Sequence, residues 1–196
     1  MDASAGEYRF NPSDFDHPSF WFKMGDRLSN LCCRPLLYRP YYRTFGLKGD
    51  ENVLDFGCGG GVGSCCLAEM LKKDGRLTCV DTSDYWVKKA AGRLRKYPNA
   101  ACQAGDIRSL DLPARSYDVI SIIFVLHDIT PAERGAIVKA LAELLHPEGT
   151  AFICEPVKKS HGMPSDEIRA IFTEAGLQEA SFTESKSQYR GVFKHS

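Results

Sequence analysis

The sequence predicts an α/β fold: a doubly wound, mostly parallel sheet with helices on both faces. Three observations carry this. From Leu47 onward, short apolar runs of strand length alternate with longer runs of helical length. Such alternation is satisfied by βαβ units, whose crossovers cover both faces of the sheet. The first apolar run, Val53-Leu54-Asp55-Phe56, breaks into Gly57-Cys58-Gly59-Gly60-Gly61-Val62-Gly63 and then into a helical stretch, Ser64 to Leu71. Strand, glycine turn and helix bring a ligand against exposed backbone N–H groups at a helix start. Finally, 117–124 is apolar apart from Asp118 and Ser121, as suits a central strand covered on both sides.

The elements follow in order. Residues 1–17 are polar and carry Pro12, which predicts a loosely held arm. Its aromatic end, Phe15 to Phe22, is expected to dock. A helix is predicted over 19–32 with Ser19 as N-cap. A second is predicted over 35–45, broken at Pro40. Strand one is 52–56 and the next helix 62–73, followed by an Asp74-Gly75 turn and strand two at 76–81. The signal Thr82-Ser83-Asp84 opens a helix over 83–96, which stops before Pro98. Strands follow at 99–103 and 117–124. Pro131 opens a helix over 131–145, and strand five is 149–155. A helix over 165–175 ends at Gly176, and 177–195 alternates as two strands, making seven. Residues 1–46 are read as an arm and helical cap, and 47–196 as the main domain of one compact unit.

Composition narrows the function. The 196 residues suffice for one core of ordinary size. Lys plus Arg and Asp plus Glu each number 25, so nothing suggests a generic nucleic-acid or membrane-surface partner. Val119 to Leu126 is the longest apolar run and is too short to span a bilayer. The N-terminus lacks the apolar core of a signal peptide, so a cytoplasmic location is expected. Cys32, Cys33, Cys58, Cys65, Cys66, Cys79, Cys102 and Cys154 contain no CxxC pair and read as small hydrophobes. No metal is expected; metalloid chemistry at Cys32-Cys33 stays an alternative.

Charge selects the ligand of the glycine turn. Dinucleotide sites use the same turn. Here, however, Asp55 stands at the mouth of the strand, where it would repel a pyrophosphate and suit a cation. Asp81 closes the second strand about 20 residues past Gly61, an offset at which an acid can accept from both ribose hydroxyls. A nucleoside with a positively charged tail fits both acids, and S-adenosylmethionine is such a molecule.

Over residues 47–196 the chain resembles the class I S-adenosylmethionine-dependent methyltransferases, of the small-molecule type. Val53 to Gly61 matches the family's first motif and Val80-Asp81 its ribose acid. Ala104-Gly105-Asp106-Ile107 is similar to its adenine segment, and Leu144 to Thr150 to the turn before strand five. The resemblance implies a Rossmann-like seven-stranded sheet with an antiparallel C-terminal strand, and a cap that closes over the active site. It implies S-adenosyl-L-methionine as cofactor, S-adenosyl-L-homocysteine as product and in-line displacement as the reaction. It implies cofactor contacts from Asp55, Gly57, Cys58, Gly59, Gly61, Asp81, Thr82, Asp106, Ile107 and Phe124. Trp86 is a weaker candidate beside adenine.

The acceptor is read as a small molecule touching Trp21, Tyr38, Tyr42 and Glu155, with Phe22 and Tyr41 as further cap candidates. For each ring the alternative is simple packing of the cap. His127 in Phe124-Val125-Leu126-His127-Asp128 is the candidate general base, oriented by Asp128; capping of the next helix is its alternative. No Asn-Pro-Pro-Tyr or Asp-Pro-Pro-Tyr follows strand four, unlike resembling amide and adenine N-methyltransferases. The attacking atom and the choice between monomer and homodimer stay open. Two rivals remain: a non-catalytic S-adenosylmethionine-binding partner, and a nicotinamide-dependent oxidoreductase, which Asp55 disfavours.

Overall fold

The computed structural model describes residues 34, 36–158 and 162–196. The predicted arm, the 19–32 helix, Trp21, Phe22, Cys32 and Cys33 lie outside the described residues. The first described helix, α1, covers Arg39–Arg43 with Pro40 in its first turn, where proline's missing N–H is no loss. Then come β1 (Asn52–Phe56), α2 (Val62–Met70), β2 (Arg76–Asp81), α3 (Asp84–Leu94), β3 (Ala100–Ala104) and β4 (Tyr117–Ile123). A 3-10 turn, Leu126–Asp128, precedes α4 (Pro131–Leu144). The chain closes with β5 (Leu145–Pro156), α5 (Ser165–Glu174), β6 (Leu177–Glu184) and β7 (Gln188–His195).

The seven strands form one sheet in the order β3-β2-β1-β4-β5-β7-β6. The first five are parallel to one another, and β7 runs antiparallel between β5 and β6. Strand order reverses between β1 and β4. In open α/β sheets a crevice forms there, outside the carboxyl ends of the strands.

Period-two alternation divides the core. Leu54, Phe56, Ile120, Ile122 and Ile153 face α4 and α5, joined by Val138, Leu141, Ile168 and Phe172. Val53, Cys79, Val119 and Phe152 face the other side, where Leu67 of α2 and Ala90 and Leu94 of α3 pack. Tyr42 and Phe45 belong to this second cluster, and the Phe45 ring stacks on Phe152 at 3.9 Å between centroids. Among the described residues no helix is long and apolar enough to cross a membrane.

Several boundaries differ from the sequence reading. The helix predicted over 35–45 with a break at Pro40 is an α-helix only at Arg39–Arg43, and Pro40 lies in its first turn rather than breaking it. The helix predicted over 62–73 ends at Met70, because Leu71 is extended and the Lys72 N–H donates to the Gly49 carbonyl (2.7 Å). The helix predicted over 83–96 is bounded by Ser83 and Arg95. Strand five begins at Leu145 rather than 149. Leu145 already pairs with Tyr117 before a register shift, and Gly149 lets the Tyr117 carbonyl approach to 2.8 Å from where a Cβ would stand.

Candidate active site

The glycine turn is stitched to its neighbours through backbone groups. The Gly57 and Cys58 N–H groups both donate to the Val80 carbonyl of β2 (2.8 and 3.0 Å). Gly57 has φ 69°, and a Cβ there would meet Val125 Cγ2 at 2.4 Å, so only glycine fits. Gly61, at φ 78°, caps α2, and α3 closes in on it: a Cβ would lie 2.9 Å from Ala90 Cα. Arg93 of α3 donates to the Gly60 carbonyl (2.5 Å). At Gly59 an added Cβ meets nothing within 4 Å, which leaves room for a ligand.

Asp81 ends β2 beside this turn. Its Oδ2 accepts from the Gly59 N–H (2.8 Å) and its Oδ1 from the Ser83 N–H (3.0 Å). A carboxylate can accept several hydrogen bonds at once, through two oxygens. One acid thus fixes the glycine loop and the start of α3.

Asp55 is the most unusual group of the crevice. It is 4% exposed, and accepts from Ser64 Oγ of α2 (2.6 Å) and Ser121 Oγ of β4 (2.9 Å). Parallel register sets Asp55 directly opposite Ser121. Burial pushes its carboxyl up to about 6, against the two hydroxyl hydrogen bonds and with help from the Asp81 charge. The Tyr42 hydroxyl reaches the Ser121 side chain, and its ring is 1% exposed. Gly63 makes this possible, since a Cβ there would stand 2.4 Å from that hydroxyl. Tyr42 therefore sits inside the core, while Tyr38, half-buried, stacks on it at 6.4 Å.

At the end of β4 the chain turns sharply. Phe124 has φ 59°, an outlier for a bulky residue, and its side chain is 39% exposed. Its N–H donates to the Cys154 carbonyl (2.8 Å), which holds the strained residue at the mouth of the crevice. Glu155, 0% exposed, organises the turn over Val125 to Asp128. Its Oε1 accepts from the N–H groups of Val125 (2.9 Å) and Leu126 (2.8 Å). Its Oε2 lies 2.6 Å from His127 Nδ1. Asp128 Oδ1 is 3.4 Å from His127 Nε2, and the imidazole is 6% exposed. Burial pulls the His127 value down, but the Glu155 hydrogen bond and the charges of Glu155 and Asp128 more than reverse this, and the net direction is up. Arg134 donates to the carbonyls of Ile129 and His127 and pairs with Glu167 (2.7 Å), anchoring the turn on α4 and α5.

On the far side, Asp106 accepts from the Arg108 N–H (2.9 Å) and pairs with the Arg108 guanidinium, which also reaches Glu133 (3.2 Å). Arg108 holds the Asp106 carboxyl below its ordinary value. Ile107 is buried, Thr82 exposed. Trp86 is buried, with the Lys89 ammonium 4.7 Å from its ring centroid.

Asp55, the glycines, Cys58, Asp81, Thr82, Asp106, Ile107, Phe124, His127 and Glu155 thus all gather at the carboxyl ends of β1 to β5. The sequence reading did not single out Ser64, Arg93, or Ser121 as a partner of Asp55. Ser121 had a signal: it is a hydroxyl inside an apolar central strand.

A family profile described as "Methyltransferase domain" matches residues 53–149. The ubiquinone biosynthesis O-methyltransferase of Coxiella burnetii is 34% identical over 135 residues, covering 67% of this chain and 55% of that protein. The chain spans about half the length of the curated relatives it matches. A SAM-dependent methyltransferase from Aquifex aeolicus has a similar structure, with TM-score 0.74, 22% identity, and coverage of 94% of this chain and 98% of that one. The magnesium protoporphyrin IX methyltransferase of Synechocystis, solved with bound SAM, gives TM-score 0.66 at 19% identity over 97% of this chain and 87% of that one.

Proposed function

The chain belongs to the class I S-adenosylmethionine-dependent methyltransferases, and on that premise we propose that it methylates a small-molecule acceptor at the carboxyl ends of β4 and β5, beneath the cap. Its cofactor is S-adenosyl-L-methionine. The observation that carries the reading is Asp81 beside an open glycine: its Oδ2 holds the Gly59 N–H at 2.8 Å, a Cβ on Gly59 would meet nothing within 4 Å, and a second acid, Asp55, stands in β1 before the same turn. Two carboxylate acceptors fit a nucleoside with a cationic tail. When bound, the cofactor supplies an electrophilic methyl on a sulfonium that leaves readily. The chain's own residues then have to bind, align and exclude water.

In this reading Asp81 takes the ribose hydroxyls and Asp55 faces the cationic tail. Gly57, Cys58, Gly59 and Gly61 allow close backbone approach. Thr82, Asp106, Ile107 and Phe124 border the adenosyl half, and Tyr38 the acceptor. Asp81→Ala is expected to weaken S-adenosylmethionine binding about 10- to 150-fold, the equivalent of about 1.5–3 kcal/mol for a charge-assisted hydrogen bond. Calorimetric titration checks this, and an unchanged affinity removes Asp81 from the site.

His127 calls for a second reading. Both of its ring nitrogens face carboxylates, so its geometry suits a positively charged pivot of the turn better than a proton acceptor. We assign Glu155 and His127 to positioning Phe124 and the turn. His127→Ala then lowers methyl transfer only a few-fold while reducing stability. A loss of roughly 100-fold in kcat with stability retained would restore the general base. The same geometry favours a non-catalytic cofactor-binding partner as the runner-up. Titration with S-adenosylmethionine, S-adenosylhomocysteine and NADH, followed by an acceptor screen, separates these. Binding of the first two without turnover on any acceptor favours the partner reading, and binding of NADH alone overturns both.

A further inference from the structure

Register stacks two neighbouring rows of side chains, two residues apart along the strands, on the face of the sheet that carries Asp55. Asp55 of β1 is opposite Ser121 of β4, Ile123 of β4 opposite Cys154 of β5, and Cys154 opposite Arg190 of β7. All lie toward the carboxyl ends of the parallel strands. The β1 end of the first row and the β7 end of the second have opposite charge chemistry. The β1 end is acidic and suits a cation, and the β7 end is a guanidinium.

Arg190 is exposed but held in place. Its guanidinium carbon lies 4.8 Å from the centroid of the Tyr41 ring. Its Nε donates to Gln188 Oε1 (2.9 Å), and it touches the Cys154 thiol. Tyr41 is fixed in turn by its hydroxyl on the Ile153 carbonyl (3.3 Å) and by edge contact with Phe45. Among the described residues no carboxylate pairs with Arg190, whereas Arg34 and Arg39 of the cap segment are committed to Glu69. An arginine has five N–H donors in a planar fork, and stacking on an aromatic ring leaves the edge of that fork free for an oxyanion.

We propose that Arg190 anchors an anionic group of the methyl acceptor, which makes the acceptor class a small carboxylate, sulfonate or phosphate ester. The assignment rests on the methyl-transfer reading above. Strand spacing sets the span: from the crevice between β1 and β4 to β7 is two to three strands, roughly 10–15 Å. That is the length of one ring with a short acidic arm. Phe124 and Ile123 lie between the two ends and offer the apolar floor such a ring would need.

The alternative is that Arg190 only staples α1 to the sheet through Tyr41. The test uses the full chain saturated with S-adenosylhomocysteine, titrated with matched pairs: benzoate against benzamide, and phenyl phosphate against phenol. Wild type, Arg190→Gln and Arg190→Lys are compared. The expected result is a preference of about 10-fold or more for the charged member in wild type, the scale of one charge-assisted hydrogen bond. Arg190→Gln should abolish this preference and Arg190→Lys should keep part of it, with cofactor affinity and thermal midpoint unchanged. No charge preference in wild type, or one that survives in Arg190→Gln, overturns the proposal. A fall in midpoint with equal weakening of both members of each pair leaves the staple. Failure of wild type to bind S-adenosylhomocysteine at all strikes instead at the methyl-transfer reading, and the acceptor assignment falls with it.

Discussion

Glu155→Ala is expected to reduce the free energy of unfolding by about 3–5 kcal/mol, the range for removing one partner of a buried charged pair. The reason is local. The carboxylate has no exposed surface, and four donors converge on it: the N–H groups of Val125, Leu126 and His127 and the His127 imidazole. Alanine takes the acceptor from three backbone N–H groups and from Nδ1 of a buried ring, in a place closed to solvent. Glu155→Gln should cost less, since its amide oxygen can still serve the Val125 and Leu126 N–H groups while the charge on the imidazole loses its partner. The His127 direction fixes the pH dependence. A histidine whose folded value is raised contributes stability that is fully present below its ordinary value of about 6.5 and lost as pH rises through the folded value. The gap in urea midpoint between wild type and Glu155→Gln should therefore be widest at mildly acid pH and narrow above neutrality. A gap that widened with pH would mean the pair is not an ion pair.

The parts of this molecule that were legible in the sequence are those with a local signature. β1, the glycine turn and the start of α2 are written in eleven consecutive residues, and Asp81 in its offset from them. The order of strands follows from alternation of β and α runs. What was not legible depends on register between distant segments. Ser121 looked like an exception in an apolar strand until β1 and β4 paired and placed it 2.9 Å from Asp55. Glu155 read as a pocket residue because it closes the predicted fifth strand. Side-chain alternation instead turns it away from Cys154 and toward the post-β4 turn, 29 residues earlier in the chain at Leu126. Tyr42 read as a lining ring, and the tightness of Gly63 draws it into the core. Boundaries failed where a backbone group found a distant partner, as Lys72 does on Gly49.

Asp55→Asn is expected to stabilise the cofactor-free protein while weakening cofactor binding. A carboxyl raised to about 6 by burial is a group the fold prefers neutral. The sign follows from linkage: its contribution to stability is fully present below the unfolded value of about 3.9 and is lost as pH rises through about 6. Above that pH the ionised buried acid costs about 3 kcal/mol, two pH units at 1.36 kcal/mol each. Asparagine is nearly the same shape and can still meet the hydroxyls of Ser64 and Ser121. The substitution should therefore raise the free energy of unfolding at pH 7.5 by an amount approaching that figure, and do little at pH 4. Binding runs the other way. A cationic tail facing Asp55 needs the anion, so cofactor affinity in wild type should fall about tenfold per pH unit below 6 and level off above it. In Asp55→Asn the profile should be flat across the same window and lie below the wild-type plateau. Calorimetry between pH 5 and 8, in buffers of different ionisation enthalpy, reads both the affinity and the protons released. A wild-type profile as flat as that of the asparagine variant would detach Asp55 from the cofactor. The destabilising buried acid would then need another cation to explain it.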